Sequence, residues 1–298
     1  MRKGIRFFVT FLAVALVFTV IACGKKPDEG TSEPTYTDEE NYAVFRAGVV
    51  DSLSCDDVYT YFETTGYVVD GVILELDKSY ETRDGNRFMY EYTERTADSE
   101  SPEAELVLTT HLTKAVKLVT VDGEQKYKDC LKQLRSDGNY EKIGNYVAAE
   151  DLGNYVSTEH SPKTVLSAVL TADDAYADFV ASLKKYIVEN ERDRGVTADK
   201  ITALIGRDSI DTSRVTVSAT AEGISYEEGG KQCTGKLIWT FVVKDGKVAE
   251  CGHRSEITTD KGNGTTGSTT ISVDATFRYE FDEERYGEIV ESEYTVTE

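Results

Sequence analysis

The sequence predicts an α+β domain built on a large antiparallel sheet with helices packed on one face. Three observations carry that expectation. Apolar residues alternate with polar ones in short runs over about 57–128 and again over about 214–282, the period of a half-buried strand. Asp-Gly pairs at 70–71, 84–85, 122–123 and 245–246 fall between or near these runs, where two-residue hairpins turn. Helical spacing is confined to a segment before the first run and a section between the two. Parallel strands would need a crossover of a dozen or more residues between runs, and the spacing leaves no room for one.

Taken in order, the chain begins with Arg2, Lys3 and Arg6, an apolar run from Phe7 to Ile21, and Val20-Ile21-Ala22-Cys23-Gly24. A basic start, a short apolar stretch and a small residue at the break are the grammar of a signal peptide. A transmembrane helix needs about 20 consecutive apolar residues, and this run stops short at Gly24-Lys25-Lys26. Val20-Ile21-Ala22-Cys23 resembles the lipobox of bacterial lipoproteins, in which the Cys thiol carries diacylglycerol and the peptide is cut before it. That resemblance implies that residues 1–22 are removed, that Cys23 is the lipid attachment, and that the protein is extracytoplasmic, anchored to the cell membrane through acyl chains. Two chains meet the requirement for stable residence that one alone does not.

Residues 23–36 are polar and hold two of the four prolines, the composition of a flexible tether. A single domain over 37–298 follows. Past residue 22 the chain keeps 30 basic against 54 acidic residues, a net charge of −24. Such a surface repels phosphate backbones, which argues against nucleic-acid binding and against docking on anionic lipid by a basic patch. Forty per cent apolar residues suffice for a sizeable core.

Thr37 with Glu40 forms a capping box ahead of Phe45, Val49 and Leu53, so a helix is expected over about 38–53. An antiparallel meander follows through Val72/Leu74/Leu76, Phe88/Tyr90/Tyr92, Leu106/Leu108 and Val116/Leu118. Thr171 with Asp174 heads the best-formed helix, whose face runs through Tyr176, Phe179, Leu183 and Ile187 and which stops at Gly195. A shorter helix is expected from Thr197 to about Ile205. Strands resume at Val215, pass through a hairpin turning at Asp245-Gly246, and end on the alternation Ile271/Val273/Ala275/Phe277/Tyr279/Phe281. No internal repeat of fixed period is present, although the two strand-rich halves could be loosely related.

Helix, meander, helical insert and meander is an order similar to that of the LolA/LppX-like lipoprotein fold, in which a curled sheet lidded by helices shelters acyl chains. The resemblance implies that the large antiparallel sheet is curved and half-barrel-like, and that the faces bearing Trp239, Phe241, Val273 and Phe277 are cavity walls for an apolar ligand. Ordinary packed core is the other reading.

Other motifs lack the context their chemistry needs. Gly262-Asn263-Gly264-Thr265-Thr266-Gly267 matches a dinucleotide fingerprint but lies between antiparallel strands, where a hairpin is expected. Ser182 and Lys185 match SxxK without its partner motifs. The histidines His111, His160 and His253 are scattered; with plain pairing from the 245–246 turn, His253 falls beside Ile238 and Cys251 faces Thr240. The acidic runs Asp173-Asp174 and Asp282-Glu283-Glu284 mark solvated surface or a helix start rather than calcium. Cys55, Cys130, Cys233 and Cys251 allow three disulfide connectivities or four free thiols, the Cys233–Cys251 bridge being disfavoured by register. Tyr59/Tyr61 and Tyr90/Tyr92 stand two apart, each pair on one sheet face, and read as a ligand-stacking platform for carbohydrate or, by default, as outer sheet surface. No cofactor or metal site emerges. The sequence points to a non-enzymatic lipoprotein that binds or carries an apolar ligand, or else to a solid-core envelope protein that touches a protein or glycan.

Overall fold

The Asp-Gly turns and the alternation between them build the expected meander and extend it across the whole domain. The computed structural model describes residues 35–55, 58–85, 87–97, 105–147, 175–208 and 214–291. The expected signal peptide, Cys23, the tether as far as residue 34, Thr171, Asp173, Asp174 and His160 lie outside the described residues. From Tyr36 onward the chain is one compact unit.

The first helix, α1, spans Asp38–Ser54, and both halves of its capping box form: Glu40 N–H donates to Thr37 Oγ1 at 3.2 Å and Thr37 N–H to Glu40 Oε2 at 2.8 Å. Tyr36, expected in the tether, instead lies beneath the Arg207 guanidinium, 4.0 Å from the centre of its ring.

Eleven strands follow: β1 Val58–Val69, β2 Val72–Asp84, β3 Arg87–Thr96, β4 Val107–Val121, β5 Glu124–Leu134, β6 Tyr140–Val147, β7 Ile201–Arg207, β8 Val215–Glu228, β9 Lys231–Lys244, β10 Lys247–Gly262 and β11 Thr265–Arg278. They form one antiparallel sheet in the order β6-β5-β4-β3-β2-β1-β11-β10-β9-β8-β7. It does not close into a barrel. Each half is a meander, and the two halves meet where β1 pairs with β11, as in Tyr61 opposite Phe277. Asp70-Gly71, Asp122-Gly123, Asp245-Gly246 and Asn263-Gly264 all hold both residues at positive φ, the conformation of the two-residue turn that matches strand twist. The last of these sits inside the nucleotide-like glycine string, which is a hairpin.

Helix α2 spans Tyr176–Asn190 and helix α3 spans Glu283–Glu291. Register separates the helices by face. Tyr59, Tyr61, Phe277, Phe241 and Val217 share the front face, where they are buried with Phe45 and Val49 of α1 and Phe179, Leu183 and Ile187 of α2. Met89, Ala115 and Cys130 lie in one row on the reverse face, buried with Tyr286 and Val290 of α3. The expectation of helices on one face is therefore corrected. Tyr286 reaches through to donate to the Val116 carbonyl at 3.0 Å, and Asp282 caps α3 by accepting from Arg285 N–H at 3.0 Å.

Two further expectations change. The shorter helix expected over 197–205 is a single 3₁₀ turn, Ala198–Lys200, followed by β7; Ile201 and Ile205 point to the front face and Leu204 to the reverse, where it is 64% exposed. The same apolar residues satisfy either period, and pairing with β8 decides for the strand. Tyr59 and Tyr61 are core rather than outer surface, 3% and 2% exposed.

Candidate functional site

Trp239, Phe241, Val273 and Phe277 do share one face. Register places Phe241, Cys251 and Ala275 in one row of β9, β10 and β11, and Trp239, His253 and Val273 in the next. The four then part company. Phe241 lies under Phe45, ring centres 6.5 Å apart, and Phe277 packs on Tyr61 at 5.1 Å. Both are buried. Helix α1 rests directly on the sheet here, because a Cβ on Gly48 would sit 2.4 Å from Val243 Cγ1. Between Gly48 and Val243 there is contact and no intervening space, the density of an ordinary interior.

Trp239 and Val273 are only half-buried, and they border a polar cluster produced by a bulge. Pairing from the Asp245-Gly246 turn begins in plain register, Val248 opposite Val243, then slips so that Glu250 faces Val242. The extra residue is Ala249. A one-residue slip turns every following side chain to the other face, so His253 faces Trp239 instead of Ile238, and Cys251 faces Phe241 instead of Thr240. Side chains hold the bulge: Val248 N–H donates to Ser52 Oγ of α1 at 2.8 Å, and Tyr279 donates to the Val248 carbonyl at 2.8 Å.

At this cluster the Trp239 and His253 rings are 4.7 Å apart, and Tyr186 of α2 meets the indole edge-on at 5.3 Å. Glu191, the residue after α2, places Oε1 3.6 Å from His253 Nε2 and Oε2 3.3 Å from Arg194, which donates to Ser255 Oγ at 2.9 Å. At 3.6 Å the His253–Glu191 contact is charge proximity and not a hydrogen bond. His253 Nε2 and Trp239 Nε1 are thus buried without a hydrogen-bond partner. Cys251 is inert as a nucleophile: burial above all, with Glu63 and Asp274 adding to it, pushes its thiol up to about 12.

The first half of the sheet holds its polar groups differently. On the front face Tyr59 donates to the fully buried Glu81, and Tyr61 donates to Glu63. Burial raises the tyrosine hydroxyls well above their ordinary range, and the neighbouring carboxylates add to it. Lys114 and Asp129 lie on the same face, and burial drives both toward neutrality, the Asp up and the Lys down, each opposed by the other's charge. On the reverse face His111 Nε2 is 3.4 Å from Glu91 Oε1, while Arg285 of α3 donates to Glu91 Oε2 at 2.5 Å. A groove of about 520 Å³ runs between α1 and the start of α2, lined by Tyr42, Ala43, Arg46, Ala47, Val50 and Tyr176 among others.

No protein-family model matches the chain, and no curated protein does. Among solved structures it is similar to the N-terminal β-barrel domain of Pseudomonas aeruginosa OprF, with a TM-score of 0.16 and 7% identity over 74% of this chain and 98% of that one. A likeness at that level assigns neither fold nor function.

All four described cysteines are free thiols; Cys233 sits opposite Thr259 and not Thr258, the partner that plain pairing from the 245–246 turn would give it, because of the same bulge. Ser182 and Lys185 lie on the flank of α2, with Lys185 paired to Glu189 at 3.8 Å on the surface. The described residues contain no group of three or more His, Cys, Asp or Glu that could hold a metal, and no helix among them is long and apolar enough to cross a membrane. Glu191, Arg194 and His253 were not singled out together by sequence, since the bulge that assembles them carries no turn residue to mark it.

Proposed function

We propose that the chain is an exported lipoprotein, anchored through acyl chains on Cys23 to the outer side of a cell membrane, whose folded body works by contact with a partner rather than by catalysis or ligand carriage. The approach of Gly48 to Val243 supports the solid-core reading over the apolar-ligand reading, since a lidded cavity would need the helix lifted from the sheet. The engagement of His111 and His253 with glutamates and rings, away from any nucleophile, supports a non-enzymatic role. A half-barrel curl of the sheet belongs to the same proposal, with β6 and β7 as its edges. The lipobox residues Val20–Cys23 support the anchor.

The anchor is tested with Cys23→Ser: the variant should stay uncleaved and lose acyl labelling, and a variant processed and labelled like the parent would overturn it. The solid core is tested by organic extraction of the full-length purified chain. The extract should contain the Cys23-linked acyl groups alone after hydrolysis, whereas a stoichiometric free lipid would restore the ligand-carrying reading, for which the groove beside Tyr42 and Val50 is the place to look. In-cell crosslinking should capture a protein or glycan.

A further inference from the structure

The chain carries a net charge of −21, and the sheet distributes its charges unevenly. On the reverse face the row Ala115, Cys130 and Gly144 runs across β4, β5 and β6, and residues two places away on each strand share that face. Lys117, Lys128 and Tyr146 form the row on one side of it, and Thr113, Lys132 and Lys142 the row on the other. Tyr140, opposite Leu134, lies one row further. Among the described residues of this face on β5 and β6 the one acid is Glu124, 3.7 Å from Lys126.

Two tyrosines frame these lysines. Lys132 Nζ lies 4.4 Å from the centre of the Tyr140 ring, and Tyr140 and Tyr146 are 41% and 47% exposed. The acids nearest on the same face are engaged elsewhere, Glu91 by Arg285 and Glu283 by Arg87. Helix α3 packs on Tyr80, Met89, Ala115 and Cys130 and carries exposed Glu284 and Glu288, so the cationic strip runs past the helix along the β6 edge of the sheet.

We propose that Lys117, Lys128, Lys132 and Lys142, with Tyr140 and Tyr146 beside them, dock this edge of the sheet on the headgroups of an anionic phospholipid bilayer. The proposal rests on the Cys23 anchor, which confines the domain to the neighbourhood of a bilayer and lets a contact too weak to recruit it from solution form there. The acid surplus that argues against such docking is an average over the chain. At physiological salt, charges more than about 8 Å from the leaflet are largely screened, so the lipid meets the strip and not the mean. Ammonium groups gain from the negative surface potential of anionic lipid. Tyrosine rings, apolar in body and polar at the hydroxyl, suit the headgroup zone, and they favour lipid over a soluble polyanion, between which lysines alone would not discriminate.

Lysine reactivity reads the contact directly. The purified acylated chain is inserted from detergent into preformed vesicles of phosphatidylcholine, or of phosphatidylcholine mixed equally with phosphatidylglycerol, and modification of each lysine by an amine-specific reagent is followed by peptide mass spectrometry. On the anionic vesicles Lys117, Lys128, Lys132 and Lys142 should react about fivefold more slowly than on the neutral ones, while Lys185 and Lys231, on α2 and at the start of β9, keep their rates. The protection should vanish at about 1 M salt, where the Debye length is about 3 Å. In the double variant Lys128→Glu/Lys132→Glu, Lys117 should react equally fast on both vesicles. Equal rates for the parent on the two vesicles, or protection of Lys117 that survives the double variant, would overturn the proposal. Protection that appears only when inorganic polyphosphate is added would overturn it too, and would assign the strip to a soluble polymer. The acyl mass on Cys23 is measured on the same samples, so failure of the anchor and failure of the strip are read separately.

Discussion

The two halves of the sheet are packed with different materials, although both bury apolar side chains on the front face, Tyr59, Tyr61, Phe88 and Val116 among them in the first half. Strands β7–β11 bury the front face in hydrocarbon and aromatic packing beneath α1 and α2, with Val215, Val217, Phe241, Val243 and Val248 among its members. Strands β1–β5 bury a small reverse-face cluster around Met89, Ala115 and Cys130 beneath α3, while their front face carries Glu81, Asp129 and Lys114. Apolar burial is additive and tolerant of geometry. Buried charge adds little net stability when paired and costs several kcal/mol when one partner is removed. The second half is therefore the thermodynamic keel of the domain, and the first half is specified by polar contacts that admit few alternatives.

The largest effect that bears on this difference is Phe241→Ala, which should cost about 3–5 kcal/mol in urea unfolding, because α1 is pinned above it and cannot settle into the void. Met89→Ala, fully buried in the smaller cluster, should cost about 2–3 kcal/mol, since the nine-residue α3 is freer to follow. Equal losses would show that the halves are stabilised alike. Next comes Gly48→Ala, expected at about 1–3 kcal/mol from forcing a methyl group against Val243. A neutral result would mean that α1 rides loosely on the sheet, and would reopen the case for space beneath it.

A smaller effect tests how the bulge is held. Ser52 Oγ accepts from Val248 N–H and donates to the Gly48 carbonyl at 2.7 Å. Ser52→Ala leaves a buried backbone N–H unsatisfied and should cost about 1–3 kcal/mol. Trp239 emission should change as well, because the bulge that sets His253 opposite Trp239 has lost one of its two side-chain holds. Loss of stability with unchanged emission would separate the bulge from α1.

How much of this was legible in the sequence follows from range. The capping box at Thr37, the Asp-Gly hairpins at 70–71, 122–123 and 245–246 and the amphipathic stripe of α2 are local, and each is found where periodicity and turn chemistry put it, while the turn expected at Asp84-Gly85 begins one residue later because Asp84 still pairs with Arg87. That Trp239, Phe241, Val273 and Phe277 lie on one face was readable from alternation and is correct. Which of them have an open side was not, because that depends on how closely α1 descends at Gly48. Ala249 gives no local sign of a bulge, since the slip is selected by Ser52 and Tyr279 reaching Val248 from distant parts of the chain. The opposite-face placement of α3 was likewise hidden, because α3 is a short helix of strongly polar composition whose place is set by Tyr80, Tyr286 and Arg285 contacts.

The smallest effect separates the charge of Asp282 from its capping role. Burial opposes ionisation of this carboxyl, but the Tyr80 hydroxyl at 2.5 Å, the Arg285 backbone N–H and the nearby Arg278 and Arg285 side chains outweigh it and hold its pKa below the usual carboxylate range. A carboxyl depressed in the folded state contributes stability that is present above its unfolded value, near pH 4, and lost as pH falls through the folded one. Asn caps a helix about as well as Asp, so Asp282→Asn keeps the cap and removes the charge. The variant should be about 0.5–1 kcal/mol less stable than the parent at pH 7, and the gap should begin to close as pH falls below about 4 and vanish only below the depressed folded pKa.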